Sequence, residues 1–241
     1  LAFKHYPENF SFWFQKSYNK FLPKSILNSK LICTVSNFVK NDLKNNFNVK
    51  NCEVIYPSID AKFNDQEKPR EKMILTVSSL DPRKNFKSLL QAYKKLKTNH
   101  KLVIIGSKSN VFSEDLLNEN IADSNIFFTG HLNDSELIDY YNKASIFVYP
   151  SIFEGFGIPP LEAQACGCPC LVSNVSSLPE VYQDSVLYCD PFSISDISEK
   201  ISLLLDNKIL QEELITKGKK NISRFSWKDS AEKLTSLIKK L

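Results

Sequence analysis

Short apolar runs alternate along most of this chain with longer stretches in which apolar residues recur every three to four positions. The runs at 30–35, 53–56, 73–77, 101–105, 125–129, 146–149 and 170–173 are too short for helices and rich in Val, Ile, Phe and Tyr, so they predict strands. Between them, 37–46 (with Ser36 as N-cap), 86–97, 135–143 and 159–166 predict helices; Phe86, Leu89, Leu90, Tyr93 and Leu96 show the spacing well. Residues 193–206, 208–222 and 226–241 are three further helical patterns. Strands alternating with helices in this way predict an α/β fold with a doubly wound parallel sheet, which binds ligands at the carboxyl ends of its strands. Residues 61–71 (AKFNDQEKPRE), polar and interrupted by Pro69, read as a linker between a first part, 1–60, and a second, 72–225, followed by a final helix, 226–241.

The candidate chemistry lies between Ser145 and Val181 (SIFVYPSIFEGFGIPPLEAQACGCPCLVSNVSSLPEV). Pro150 ends the strand, Gly155 and Gly157 lie in the loop, and Pro159 and Pro160 open a helix that continues through Leu161 and Glu162. Glycines let a backbone come close to a ligand, and amides ahead of a helix favour an anion such as a diphosphate. Glu154 and Glu162 bracket that position; carboxylates repel phosphate but accept hydrogen bonds from sugar hydroxyls. An anion cradle between two hydroxyl acceptors suits a nucleotide sugar. Ordinary alternatives stand beside this reading: a first-turn glutamate complements a helix dipole, and loop glycines make turns.

Composition narrows the field modestly. The chain has 241 residues, 42% apolar and 24% charged, with 31 Lys plus Arg against 27 Asp plus Glu for a net charge of +4. That excess is too small to indicate nucleic acid, and beyond residue 30 the basic residues do not interleave with aromatics. No apolar run approaches the roughly 18 residues of a membrane span. Cys166, Cys168 and Cys170 lack the spacing of zinc or redox sites and read, like the other cysteines, as small core residues in a reducing compartment. The first 30 residues are aromatic and basic; a helix over 11–22, capped at Asn9 or Ser11, suits either a membrane surface or packing within its own domain, and the second is favoured.

Glu154, seven residues and then Glu162, with Gly155-Phe156-Gly157 between, resembles the E-x7-E motif of glycosyltransferase family 4. The blocks TVSSLDPRKNF (76–86), LVIIGSKS (102–109), FFTGHLNDSEL (127–137), SNVSSLPEV (173–181) and FSWKDSAEKL (225–234) follow in that family's order and resemble its bacterial mannosyltransferase branch, so that the likeness covers 72–241. The resemblance implies a GT-B fold: a complete C-terminal Rossmann-like donor domain (72–225), the closing part of an acceptor-side N-terminal domain (1–60), and a last helix (226–241) returning toward the first. It implies a retaining hexosyl transfer from a nucleotide sugar, GDP-mannose foremost, to a glycan or lipid-linked acceptor in O-antigen or related surface polysaccharide synthesis. It places Glu154, Arg83 and Lys84 in catalysis. Ser79, Gly106, Gly130, His131, Leu132, Gly155, Phe156, Gly157, Ile158, Leu161 and Glu162 are implied to bind the donor. Within this scheme Glu154 orients the hexose, Glu162 the ribose, and Arg83 and Lys84 neutralise the diphosphate.

Ser78-Ser79 stands where many relatives carry Gly-Arg, which shifts that charge onto Arg83 and Lys84. With no Asp-x-Asp in the chain, a metal-independent reaction without cofactor is expected. A cytoplasmic protein, peripheral at the inner face of the plasma membrane, is also expected. Leu1 is no initiator, and the His-Asp pair that relatives place just before this segment is not in the sequence, so an upstream portion is expected to be missing. Two other readings stay open: a nucleotide-sugar binding module without efficient catalysis, and a nucleotide-sugar epimerase.

Overall fold

A computed structural model describes residues 1–77, 81–106 and 125–241. Six parallel strands form its main sheet: β3 (Glu71–Val77), β4 (Lys101–Ile105), β5 (Ile126–Gly130), β6 (Ala144–Tyr149), β7 (Cys170–Ser173) and β8 (Leu187–Cys189). They lie in the order β5-β4-β3-β6-β7-β8, every pair parallel. The chain therefore winds outward from β3 in one direction and outward from β6 in the other. This is the doubly wound topology, with its switch point between β3 and β6.

Both faces of the sheet are covered, so its strands read as unbroken apolar runs rather than alternating ones. Alternate residues nevertheless serve different cores. Met73, Leu75, Phe147, Tyr149 and Val172 pack with Ile138, Tyr141, Leu161 and Cys166 on one face. Ile74, Leu102, Ile146, Val148 and Leu171 pack with Phe86, Leu89, Tyr93, Ile197 and Ile201 on the other. Burial pushes the Cys166 and Cys168 thiols up to about 12 and raises Cys170 well above its ordinary value too, which leaves all three as inert packing groups. Sequence periodicity located these elements within a few residues; it did not indicate the short helix Leu178–Tyr182 or the edge strand β8.

The first part of the chain holds a two-stranded parallel sheet, β1 (Cys33–Thr34) and β2 (Glu53–Val54), with helix Asn37–Phe47 between them. Its helix Phe12–Asn28 packs along one side, with Phe14 and Tyr18 against Phe3 and Ile26 against the cluster of Leu43, Val49 and Cys52, although none of its residues is fully buried. Phe14 stacks on Phe10 and on Tyr18, whereas Phe12, Trp13, Phe21 and Leu27 face outward. The described residues around it cover one side only.

The two parts meet closely. Ser36 caps helix Asn37–Phe47 and donates its hydroxyl proton to the Gly155 carbonyl, at 2.6 Å. Glu180 sits across the same helix end, accepting from the amides of Asn37 (2.7 Å) and Phe38 (2.9 Å), from Asn37 Nδ2 (2.9 Å) and from the Tyr56 hydroxyl (2.9 Å). A carboxylate here satisfies orphan donors and complements the dipole at once. Helix Trp227–Ile238 lies on β2, with Ser230 donating to the Tyr56 carbonyl and Lys233 to that of Val54. Burial and the Glu180 carboxylate together hold the Tyr56 phenol above its usual range. Glu180→Ala is expected to cost about 1–3 kcal/mol, the penalty for orphaning such donors, and to lower the Tyr56 pKa; urea unfolding and ultraviolet titration measure the two effects.

Candidate active site

Chain order places the loop after β3 and the loop after β6 side by side at the switch point, so residues 70 apart in sequence become neighbours. Lys84 Nζ lies 2.5 Å from Glu154 Oε1 and 2.7 Å from the Tyr149 hydroxyl, which itself donates to Glu154 Oε1 at 2.7 Å. The Glu154 and Lys84 side chains are only 13% and 21% exposed. Both proton donors converge on Oε1, and no protein group holds the second carboxylate oxygen among the described residues. Tyr149, at the end of β6 and buried, reads in the sequence as one more core aromatic; no sequence signal separates its role from that of Phe147.

Beyond Glu154 the chain runs through Gly155, Phe156, Gly157 and Ile158, whose four amides have no hydrogen-bond partner among the described residues. The helix that follows, Pro159–Ala165, adds no donors. Pro159 and Pro160 have no N–H, and the amides of Leu161 (2.8 Å) and Glu162 (3.3 Å) are already bonded to the Ile158 carbonyl. The unpartnered amides thus lie in the loop ahead of the helix, where Gly155 and Gly157 put them, and the first turn of the helix adds none. Gly157 is required for more than ligand approach. Its φ is +87°, and a Cβ there would meet Leu178 Cδ2 at 2.7 Å. Gly155 is different, since a Cβ would rest 3.6 Å from Val35 and Val39, an ordinary contact.

Glu162, in the first turn of the helix, accepts from the Tyr141 hydroxyl at 3.0 Å. Burial raises its carboxyl above the usual glutamate range and Asp134 adds to this, against the opposing pull of the Tyr141 hydrogen bond and of Lys62. A polar group held at such a cost is a mark of functional sites. Tyr149 connects the two acids. Burial lifts its phenol far above the ordinary range, followed by the charge of Glu154, and Glu162 contributes to the same shift. Of the two carboxylates, Glu154 is the one hydrogen-bonded to that hydroxyl, and Glu162 bonds Tyr141.

The remaining expected residues divide. Arg83 is not a free cation: its Nε approaches Asp81 Oδ1 at 2.9 Å and Oδ2 at 3.1 Å, its Nη2 also bonds Asp81 Oδ2, and its guanidinium stacks 5.5 Å over the Phe10 ring. Burial pushes Asp81 up, but the hydrogen bonds from Arg83 outweigh it and hold the carboxyl below its usual range. Leu161 is buried in the core and has its amide bonded, so it offers a ligand neither side chain nor N–H; its expected part in donor binding is corrected to packing. The Phe156 ring packs against Phe225 at 5.3 Å and Tyr56 at 6.1 Å, leaving only its amide for a ligand. Ile158 is partly exposed beside it. Gly106 and Gly130 close the ends of β4 and β5, the Gly106 amide donating to the Gly130 carbonyl at 3.0 Å. His131 follows, exposed, and Leu132 leans on the core. Ser79 lies outside the described residues. Among the described residues, no group of three or more His, Cys, Asp or Glu side chains is placed to hold a metal ion.

Known proteins resemble this chain in sequence and in fold. A sequence model of the family "Glycosyl transferases group 1" matches residues 58–221. O-antigen chain mannosyltransferase B of Escherichia coli is 31% identical over 242 residues, which span 92% of this chain and 64% of that protein. O-antigen chain mannosyltransferase RfbU of Salmonella typhimurium is 34% identical over 78% of this chain and 54% of its own length. The chain thus spans a little over half to two thirds of these relatives. In fold it resembles Alr3699/HepE of Anabaena, solved with UDP and glucose, at a TM-score of 0.85 and 15% identity over 98% of this chain and 69% of that one. Sucrose-phosphate synthase of Thermosynechococcus elongatus superposes at 0.80 with 20% identity over 90% and 60%. With its doubly wound GT-B sheet and a family match across more than half of its length, this chain belongs to the group 1 glycosyltransferases.

Proposed function

We propose that this chain binds the donor of a retaining glycosyltransferase that moves mannose from GDP-mannose to a glycan or lipid-linked acceptor in surface polysaccharide synthesis. The observation that carries the proposal is the Lys84–Glu154–Tyr149 cluster beside four unpartnered amides at the switch point. The amides of 155–158 and Lys84 receive the diphosphate, and their dipoles and charge stabilise it as it leaves. Arg83, already neutralised by Asp81, supplies less of this charge than its sequence position implies. The free oxygen of Glu154 accepts from a hexose hydroxyl, and Glu162 accepts from the ribose. The bond from C1 to the phosphate oxygen breaks as the acceptor oxygen bonds C1 on the same face, and the acceptor proton passes to the leaving phosphate. Lys84 takes the place a metal's charge would fill, and the reaction is metal-independent. The names of the relatives support mannose as the sugar.

Glu154→Gln is expected to keep its melting temperature and lose about 10²-fold or more in turnover with GDP-mannose, the scale of losing one preorganised transition-state contact. Proton NMR of the wild-type product is expected to show the donor's anomeric configuration retained. Unchanged turnover in the variant would remove Glu154 from its role, and an inverted anomer would remove the mechanism. Donor binding by calorimetry with no transfer to any acceptor would leave a binding module instead.

Glu162 yields a pH prediction. Its folded pKa is raised, so the folded state holds the proton more tightly than the unfolded one, and stability is lost as pH rises from the ordinary value near ~4.3 through the folded value. Glu162→Gln keeps the acceptor for Tyr141 and removes the buried charge. It is expected to melt higher than wild type at pH 7, with the gain vanishing below about pH 4, and to bind donor more weakly. Calorimetric scans across pH with donor titrations check both.

Peripheral attachment at the cytoplasmic face completes the proposal. Helix Phe12–Asn28 turns Phe12, Trp13, Phe21 and Leu27 outward, and residues 9–41 contain five lysines and no acidic residue. Aromatics with lysines suit an anionic lipid surface. The protein is expected to float with phosphatidylglycerol vesicles and not with phosphatidylcholine, and the triple variant Lys16→Glu, Lys20→Glu, Lys24→Glu to lose flotation; equal behaviour with both vesicles would contradict the attachment.

A further inference from the structure

Glu154 is held at its backbone as well as at its carboxylate, by two serines from the turn after β7. Its amide donates to the Ser176 hydroxyl at 3.0 Å, and its carbonyl accepts from the Ser177 hydroxyl, also at 3.0 Å. The peptide groups on both sides of one residue are therefore gripped by consecutive side chains of another segment. Ser177 is fully buried. The next residues continue the grip, for Leu178 packs on the space where Gly157 lacks a Cβ and the Tyr182 hydroxyl donates to the Gly157 carbonyl.

Ser176 does this from an unfavourable conformation. Its φ is +56°, in the left-handed region that glycine occupies freely and serine rarely does. Asn48, Asn85 and Gln183 also have positive φ, each as the cap of a helix, and so has Glu67 in the segment before β3. Ser176 stands one residue before Ser177, the N-cap of helix Leu178–Tyr182, in a turn closed by the Leu178 amide on the Val175 carbonyl at 3.3 Å. The feature that a glycine would lose is the hydroxyl, and that hydroxyl has one partner given by the structure, the amide of Glu154. The turn accounts for the backbone conformation, which glycine would adopt without strain; the hydroxyl spent on the Glu154 amide is what serine adds there.

We infer that Ser176 is a positioning residue for Glu154: it accepts the Glu154 amide so that the carboxylate, anchored at Oε1 by Lys84 and Tyr149, presents its second oxygen to the hexose in one fixed orientation. This inference rests on the role proposed for Glu154. Without the Ser176 acceptor the Glu154 amide joins the free amides of 155–158, and the loop is no longer held at its first residue. A misplacement of this kind lowers turnover without removing any contact to the donor diphosphate.

The test compares Ser176→Gly, Glu154→Gln and the double variant with the wild type, by thermal unfolding and steady-state transfer from GDP-mannose. Ser176→Gly is expected to melt at or above the wild-type temperature, to lose at least tenfold in kcat and to keep the donor KM within about twofold. A residue with a purely structural role would not move stability and turnover in opposite directions. The double variant is expected to be no slower than Glu154→Gln alone, because the serine acts through the glutamate. Wild-type kcat in Ser176→Gly, a lower melting temperature, or a full additional loss in the double variant each overturns the inference. Wild-type turnover in Glu154→Gln is a different failure, since it removes the role of Glu154 itself.

Discussion

The ion pair between Lys84 and Glu154 is the contact on which the site depends, and it exists because the sheet reverses direction between β3 and β6. At that point no helix crosses over the strand ends, and loops from two distant parts of the sequence face each other across a crevice. A buried pair of this sort is costly unless each partner is otherwise hydrogen-bonded. Tyr149 meets that requirement on one side by bonding both members, and the arrangement leaves one carboxylate oxygen unclaimed. The local charge is balanced twice over, Arg83 by Asp81 and Lys84 by Glu154.

The sequence made the scaffold of this site readable and left its supports hidden. Glu154, the loop glycines and Glu162 stand out because carboxylates and glycines are out of place between a buried strand and a buried helix. Tyr149 and Tyr141 do not stand out, since an aromatic at the end of an apolar run looks like core, and both are core apart from one hydroxyl. Arg83 was legible as a cation at the ligand edge, but its pairing with Asp81 follows from a tight turn over 81–84 that composition does not announce. The helix start expected to supply amides is disabled by the two prolines that made it recognisable as a helix start. Helix Phe12–Asn28 packs through Phe14, Tyr18 and Ile26, and the described residues leave Phe12, Trp13, Phe21 and Leu27 outward.

Contacts between the two parts of the chain converge on the same loop. Ser36 from the first part holds the Gly155 carbonyl, while Ser176 and Ser177 hold Glu154 from the other side. Glu180, three residues beyond Ser177, closes on the helix that Ser36 begins. A single short segment, 176–182, thus touches the acid, the amide cradle and the first part of the chain, which links the approach of the two parts to the placement of the carboxylate.

The most direct test of the account is a crystal structure of the protein with GDP-mannose bound. It is expected to show the free oxygen of Glu154 within about 2.6–3.2 Å of a hexose hydroxyl, the diphosphate on the amides of 155–158, and Glu162 against the ribose. A hexose bound away from Glu154, with that carboxylate still closed between Lys84 and Tyr149, would contradict it.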